Sequence, residues 1–261
     1  MNKPLYPSLV HRFIGLTLAL TLASAPVLCG YYVTLNDNEI NPGKGKNLVN
    51  MYVTNESDDM KAIMLSPKLR NVDSSGVETV SETEDLVVFP AQLILPPRSE
   101  KAVSIRWLGE QNISRERSYR VIVDELNVGK KQAKDSKIIR TKVRYVKSIY
   151  VAPYKIVNSL MLEDARRDVL EDGTSVLKFK FYNNGTVREL LRNVVLEYKS
   201  MDRIASLTIK ADEMEPFKSN RNILANNRLE GWIPWPEDID TNVDKFYLLD
   251  YNLGEDGEES E

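Results

Sequence analysis

Histidine and cysteine are almost absent from these 261 residues, with one of each, His11 and Cys29. Both lie in the first 30 residues, a stretch built like a removable export signal. Lys3 and Arg12 give it a positive start and residues 13–25 form an apolar run. Pro26 interrupts that run before it reaches the ~20 residues a spanning helix needs, so export fits better than anchoring. Ala23-Ser24-Ala25 looks like a cleavage site, but Pro26 follows it directly. Processing after Cys29 or Gly30 fits better, with Tyr31 opening a strand. Removal of the segment would leave no thiol and no imidazole. Disulfides, Cys or His metal ligands, Ser-His-Asp and Cys-His nucleophiles and a histidine general base are then all excluded.

Other signals are missing as well. There is no Gly-rich phosphate loop, and no cofactor is implied. Setting aside Lys3 and Arg12, the 35 basic residues fall to 33 against 38 acids, which gives no argument for nucleic acid. Acidic residues cluster at Glu237, Asp238, Asp240 and Asp244 and at the pairs Glu163-Asp164 and Glu171-Asp172. Their spacing fits solvated loops better than a calcium loop or a glycosidase pair. Trp232 and Trp235 fit packing better than a sugar platform. The chain therefore reads as non-enzymatic and metal-free.

What is present is strand grammar. In residues 86–126 an apolar run broken by Pro90 ends at Pro96-Pro97, and Phe89-Pro90 is a candidate cis bond. An alternating strand follows, with Val103, Ile105 and Trp107 on one face and Ser104 and Arg106 on the other. Glu116-Arg117 then opens a strand in which Tyr119, Val121 and Val123 alternate with Arg120, Ile122 and Asp124. Period-two alternation bounded by turn residues marks half-buried strands. Adding 31–35, 48–53, 62–69 and 138–151 gives seven strands in about 120 residues, an immunoglobulin-like count. Residues 36–47 read as a polar turn and 71–85 as a polar loop. Beyond Pro153, the expected hinge, strands are predicted at 156–162, 176–182, 194–198, 204–209, 217–225, 229–232 and 245–251. Asn183-Asn184-Gly185 supplies a turn, and 163–171 is the one stretch that could be helical. The expected architecture is all-β: a signal peptide at 1–30, immunoglobulin-like sandwiches at 31–153 and 154–253, and an acidic, disordered tail at 254–261.

Residues 129–147 carry eight basic residues and one acid, Asp135. Within the strand 138–151, Ile139, Thr141, Val143, Tyr145 and Lys147 share one face, and Arg140, Lys142 and Arg144 the other. That first face either belongs to the domain's own core or is an edge to which another chain adds.

The order of these elements resembles the periplasmic chaperones of chaperone–usher pili, most closely the alternate or class 5 branch. The resemblance rests on the Pro-containing strand, the Pro-rich turn, the strand ending in Arg106, the Glu116-Arg117 opening, residues 143–153 (VRYVKSIYVAP) and residues 179–187 (FKFYNNGTV). It covers roughly residues 31–253. It implies two immunoglobulin-like domains in an L, and a periplasmic protein that caps pilus subunits by donor-strand complementation before delivering them to an outer-membrane usher. Ile139, Thr141, Val143 and Tyr145 would be the donor residues. In the better-known branch an Arg on the first strand and a Lys on the last anchor the subunit's terminal carboxylate. Lys147 is the nearest match for that Lys, although strict counting from Pro153 lands on Ser148. The first strand has no Arg, so Arg106 and Arg144 remain as alternative cations. Glu116, Arg117 and Arg120 would form a structural salt-bridge network. Two other readings stay open: an exported immunoglobulin-like adhesin or binding module using a basic edge strand, and a carboxylate-dependent hydrolase. Neither nucleic acid nor a membrane anchor is implied.

Intact mass spectrometry of the exported protein is expected to place its N-terminus at Gly30 or Tyr31 and to find no thiol. A cytoplasmic chain retaining residues 1–29 overturns both export and the exclusion of histidine chemistry.

Overall fold

The computed structural model describes residues 30–126, 143–200, 203–215, 222–243 and 245–252, which form strands and one short 3-10 turn. The first half supplies β1 (Tyr31–Leu35), β2 (Glu39–Ile40), β3 (Leu48–Asn55), β4 (Lys61–Val72), β5 (Glu78–Ser81), β6 (Leu86–Phe89), β7 (Gln92–Leu95), β8 (Ser99–Trp107), β9 (Arg117–Leu126) and β10 (Arg144–Val151). One sheet runs β1-β3-β8-β6 and the other β2-β10-β9-β4-β5, with β7 also on β4. The alternation read in the sequence sets the core: Val103 and Ile105 on β8 and Tyr119, Val121 and Val123 on β9 are fully buried against Met51, Val53 and Ile63. Each such side chain contributes about 1.5–3 kcal/mol on burial.

Three elements of the first half depart from the sequence expectation. The 36–47 turn contains β2 and a 3-10 turn at Pro42–Lys44, capped by Asn41 and closed by Gly45 at φ 79°. The 71–85 loop contains β5, which is mostly exposed and pairs with β4 from Leu69↔Ser81 to Val72↔Glu78. An exposed strand held by hydrogen bonds and ion pairs carries no apolar period to read. The run from residue 86 is two strands, because β6 joins the first sheet and β7 the second. The Phe89-Pro90 bond between them is cis.

The second half supplies β11 (Leu160–Val169), β12 (Ser175–Asn183), β13 (Glu189–Leu190), β14 (Asn193–Ser200), β15 (Arg203–Lys210), β16 (Asn222–Ile223), β17 (Arg228–Pro234) and β18 (Phe246–Tyr251). They form sheets β11-β12-β17, β13-β16 and β15-β14-β18 around a separate core that includes Phe179, Phe181, Leu196 and Ile209. The possible helix at 163–171 is instead the polar half of β11, bulged near Glu163 and paired with β12 as far as Val169↔Ser175. Cross-strand polar contacts suit that register: Arg167 Nε donates to Ser175 Oγ at 2.9 Å, and Lys178 lies 4.0 Å from Asp168. Of the strand expected at 217–225, the described part is β16, and 216–221 fall outside the described residues. The molecule is thus two β-sandwiches of immunoglobulin-like type.

Each half contains a fully buried asparagine ending a strand. Asn55 Nδ2 donates to Asp59 O (2.8 Å), Pro96 O (2.9 Å) and Leu95 O (3.3 Å), while its Oδ1 accepts from Ser57 N and Oγ. Asn183 Nδ2 donates to Val187 O (2.8 Å) and Ile223 O (2.9 Å), and its Oδ1 accepts from Gly185 N (2.8 Å). Gly185 is required there, since a Cβ would lie 2.5 Å from Val157 O.

The halves meet through Glu116, whose side chain is 1% exposed. Its carboxylate accepts from Arg188 Nη1 and from Arg188 N, while its own N–H donates to Thr186 O at 2.8 Å. The Arg188 guanidinium lies 3.7 Å from the Tyr150 ring centroid, and Tyr150 Oη accepts from Asn222 Nδ2 at 2.8 Å. Further out, Asn227 Nδ2 donates to Val72 O and Glu230 N to Ser74 O, both at 2.8 Å.

Replacing Asn183 by Leu leaves the carbonyls of Val187 and Ile223 and the Gly185 amide unpaired, and is expected to lower unfolding free energy by about 2–4 kcal/mol in denaturant titration. Glu116 generates a pH prediction. Loss of water on burial pushes its carboxyl up to about 7 from an ordinary 4.5, although Arg188 opposes the shift. The folded state therefore binds this proton more tightly than the unfolded chain. Its contribution is full below pH 4.5 and declines as pH rises through about 7. The unfolding free energy of the parent minus that of Glu116→Gln should fall across this window, by at most about 1.4 kcal/mol per pH unit. A difference that rises instead means the pair with Arg188 outweighs burial.

Candidate partner-binding edge

Strand β10 pairs with β9 along its whole length, from Arg144↔Asp124 to Val151↔Arg117. On its other side β2 covers only Tyr150 and Val151. The Tyr150 amide donates to Asn38 O and the Ala152 amide to Ile40 O, each at 2.8 Å, so even-numbered residues turn their polar backbone groups away from β9. Alternation along an antiparallel strand then directs the N–H and C=O groups of Arg144, Val146 and Ser148 to the same side. Among the described residues no strand lies against them. The first sheet ends nearby on β1, which among the described residues pairs with β3 alone.

Side chains of β10 divide by parity. Ile149 and Val151 point inward and are fully buried. Towards the start of the strand that burial fades. Val143, which precedes it, and Tyr145 are half-buried and pack against the first core. Tyr145 Oη donates to Tyr31 O at 2.7 Å. Tyr31 Oη donates to Val143 O at 2.8 Å and Val123 O at 3.2 Å, and the two rings meet edge to face at 5.2 Å. Burial, followed by the charges of Glu125 and Asp124 and the neighbouring Tyr145, pushes the Tyr31 hydroxyl upward in pKa, so it stays a donor. Val143 and Tyr145 thus contribute to this protein's own core at the mouth of the sandwich. Ile139 and Thr141 lie outside the described residues.

Of the three anchor candidates, Lys147 alone has the inward parity of Val143 and Tyr145. Its ammonium stands 5.9 Å from the Tyr145 ring centroid and makes no ion pair among the described residues. Arg144 points outward and is held by Asp124 through bonds of 2.7 and 3.1 Å. Arg106 lies on the opposite sheet, exposed between Leu48 and Val87, and is no part of this edge.

Glu116, Arg117 and Arg120 do not bond to one another. Glu116 joins the halves, and Arg117 pairs with Asp85 at 3.0 Å. Arg120 binds Glu78 in a fork of 2.7 and 2.5 Å and also donates to Ser148 Oγ on β10. Glu78 accepts from the buried Arg70 Nε at 2.7 Å as well. The hydrogen bond from Arg120, with Arg70 nearby, holds the Glu78 carboxyl below the usual range. A polar ladder therefore crosses β4, β5, β9 and β10 on the outer face and braces the edge strand. Arg70, Glu78, Ser148 and Tyr31 gave no sequence signal for these roles, because their partners lie between 8 and 114 positions away.

Among the described residues no group of three or more His, Cys, Asp or Glu is placed to hold a metal, and no helix is long and apolar enough to cross a membrane. No family model and no curated protein matches the chain. Solved structures do. The class 5 fimbriae chaperone CfaA is 16% identical with a TM-score of 0.52, over 83% of this chain and 98% of that one. A chain of the chaperone–tip adhesin complex of CFA/I fimbriae biogenesis gives the same figures. A chain of the CsuC–CsuE chaperone–tip subunit pre-assembly complex, from archaic chaperone–usher Csu pili of Acinetobacter baumannii, is 14% identical with a TM-score of 0.51, over 84% of this chain and 97% of that one. At such identities the likeness is one of fold, and the fold of this chain is the two-sandwich fold seen in fimbrial chaperones.

Proposed function

We propose that this protein is a periplasmic pilus-assembly chaperone of the chaperone–usher family. It would bind fimbrial subunits by donor-strand complementation at β10 and pass them to an outer-membrane usher, without catalysis. The observation that carries the reading is the open edge: the outward backbone groups of Arg144, Val146 and Ser148, against which no strand is paired among the described residues, beside the half-buried, inward-facing Val143 and Tyr145. A partner strand there gains main-chain hydrogen bonds, and its groove buries apolar side chains worth roughly 1.5–3 kcal/mol each before ordering costs. Half-burial suits this role, because a side chain at the mouth of one sandwich can complete a core shared with a second. Ile139 and Thr141, outside the described residues, would be the further donors, and Lys147 would be the cation for the subunit's carboxylate. The fold likeness to the two chaperone–subunit assemblies supports the choice of partner. The two sandwiches act as separate domains joined near Pro153, and residues 1–30 serve for export. Within the basic stretch, Arg144 is paired with Asp124, which withdraws that cation from the basic-strand adhesin reading.

The open edge gives a backbone-specific test. Val146 is 48% exposed and its N–H faces the open side, so proline there removes no bond to β9. Val146→Pro is expected to melt cooperatively within a few degrees of the parent and to lose co-purification of subunits encoded in the same gene cluster. Lys147→Ala should weaken capture to a smaller degree. A Val146→Pro protein that melts normally and still captures subunit places the binding edge elsewhere.

A further inference from the structure

The carbonyl of Tyr31 is the point at which a side chain of β10 bonds to the backbone of β1. Gly30 O accepts from Glu56 N on the β3 side at 3.1 Å. Alternation therefore turns the backbone groups of Tyr31, Val33 and Leu35 away from β3, towards the mouth between the sheets. Among the described residues no strand pairs with Val33 and Leu35 on that side, nor with Arg144, Val146 and Ser148 on the outer side of β10. At Tyr31 the acceptor is taken, because Tyr145 Oη donates to it at 2.7 Å. A strand adding to β1 at that position has to displace a phenol hydroxyl first.

We propose that the Tyr145 hydroxyl is a gate. It blocks the β1 edge in the free protein, opposes strand addition by a second copy of the chain, and is released when a subunit strand engages the mouth. The inference rests on the strand-addition reading above. The two tyrosines make unequal bonds, and the difference isolates the gate. Tyr31 Oη donates to Val143 O and Val123 O, and neither carbonyl belongs to β1. Tyr145 Oη covers a β1 edge acceptor. Each ring also packs on the other at 5.2 Å, so replacement of either by Phe keeps the ring pair and removes one hydroxyl. Unprotected sheet edges invite pairing between chains, and a bond from a side chain to the edge backbone is a physical means of blunting that tendency.

The experiment uses full-length exported protein with Tyr145→Phe and Tyr31→Phe compared side by side. Sedimentation velocity reads self-association, stopped-flow or surface capture reads the subunit association rate, and thermal melting reads stability. A hydrogen bond of ordinary net worth corresponds to about a two- to tenfold change in an equilibrium. Tyr145→Phe is expected to raise both self-association and the subunit association rate by about that factor, with its melting close to the parent's. Tyr31→Phe should raise neither. If the two variants behave alike, the hydroxyls have only a structural role and the gate is overturned. If Tyr145→Phe changes neither quantity while the parent captures subunit, the gate is again wrong and the strand-addition reading stands. If neither the parent nor the variants capture any subunit, the reading itself fails, whereas the self-association comparison still decides whether Tyr145 guards the edge.

Discussion

Every β-sheet that does not close on itself ends in a strand whose outer N–H and C=O groups lack a partner, and the rest of this molecule is organised around where that happens. In the first sandwich β2 covers the last two residues of β10, and among the described residues no strand pairs with the outer backbone groups of Arg144, Val146 and Ser148. The opposite sheet ends beside it on β1. Two open edges at one mouth form a liability in an isolated domain and a docking site in one built to receive a strand. Tyr31 and Tyr145 span the mouth reciprocally, each with its ring against the other and its hydroxyl on backbone across the gap.

An edge strand with one bonded neighbour must be kept straight from its faces. Inside, Ile149 and Val151 anchor it in the core. Outside, Ser148 receives a hydrogen bond from Arg120, which is fixed by Glu78, itself shared with Arg70. Half-buried ion pairs of this kind contribute little net stability when desolvation is counted, but a fork between planar groups fixes geometry. That holds an edge strand with one bonded neighbour in a fixed path. The same strand ends at the joint between the halves, where Tyr150 stacks under Arg188 and Arg188 holds Glu116. Edge and joint are thus the two ends of one eight-residue strand.

Strands whose residues alternate around a buried face are legible in the sequence itself. Tyr119, Val121 and Val123 announced β9, and Val103, Ile105 and Trp107 announced β8, because burial and period coincide there. β5 and the polar half of β11 were not legible, since cross-strand ion pairs and a register set by a neighbouring strand leave no pattern in the residues themselves. The edge strand was visible as a strand, but not the allegiance of its side chains. Alternation placed Val143, Tyr145 and Lys147 on one face, and only the packing shows that this face turns into the protein's own mouth. Arg106 and Arg144 looked equivalent as cations, yet the first belongs to the other sheet and the second is already paired.

The lack of an arginine on the first strand has a physical counterpart in what stands there. Tyr31 is buried, neutral and flanked by the carboxylates of Asp124 and Glu125, which raise its pKa further. A guanidinium in that place would draw those carboxylates inward and carry its own desolvation cost. A phenol satisfies two carbonyls at a smaller cost and adds an apolar ring to the core. The inward-facing cation at the mouth is Lys147, which sits on β10 rather than β1, 5.9 Å from the Tyr145 ring centroid. Among the described residues one strand therefore carries inward apolar side chains, an outer backbone with no paired strand and a cation with no ion pair together, while Tyr31 on β1 closes onto its side chain at Tyr145.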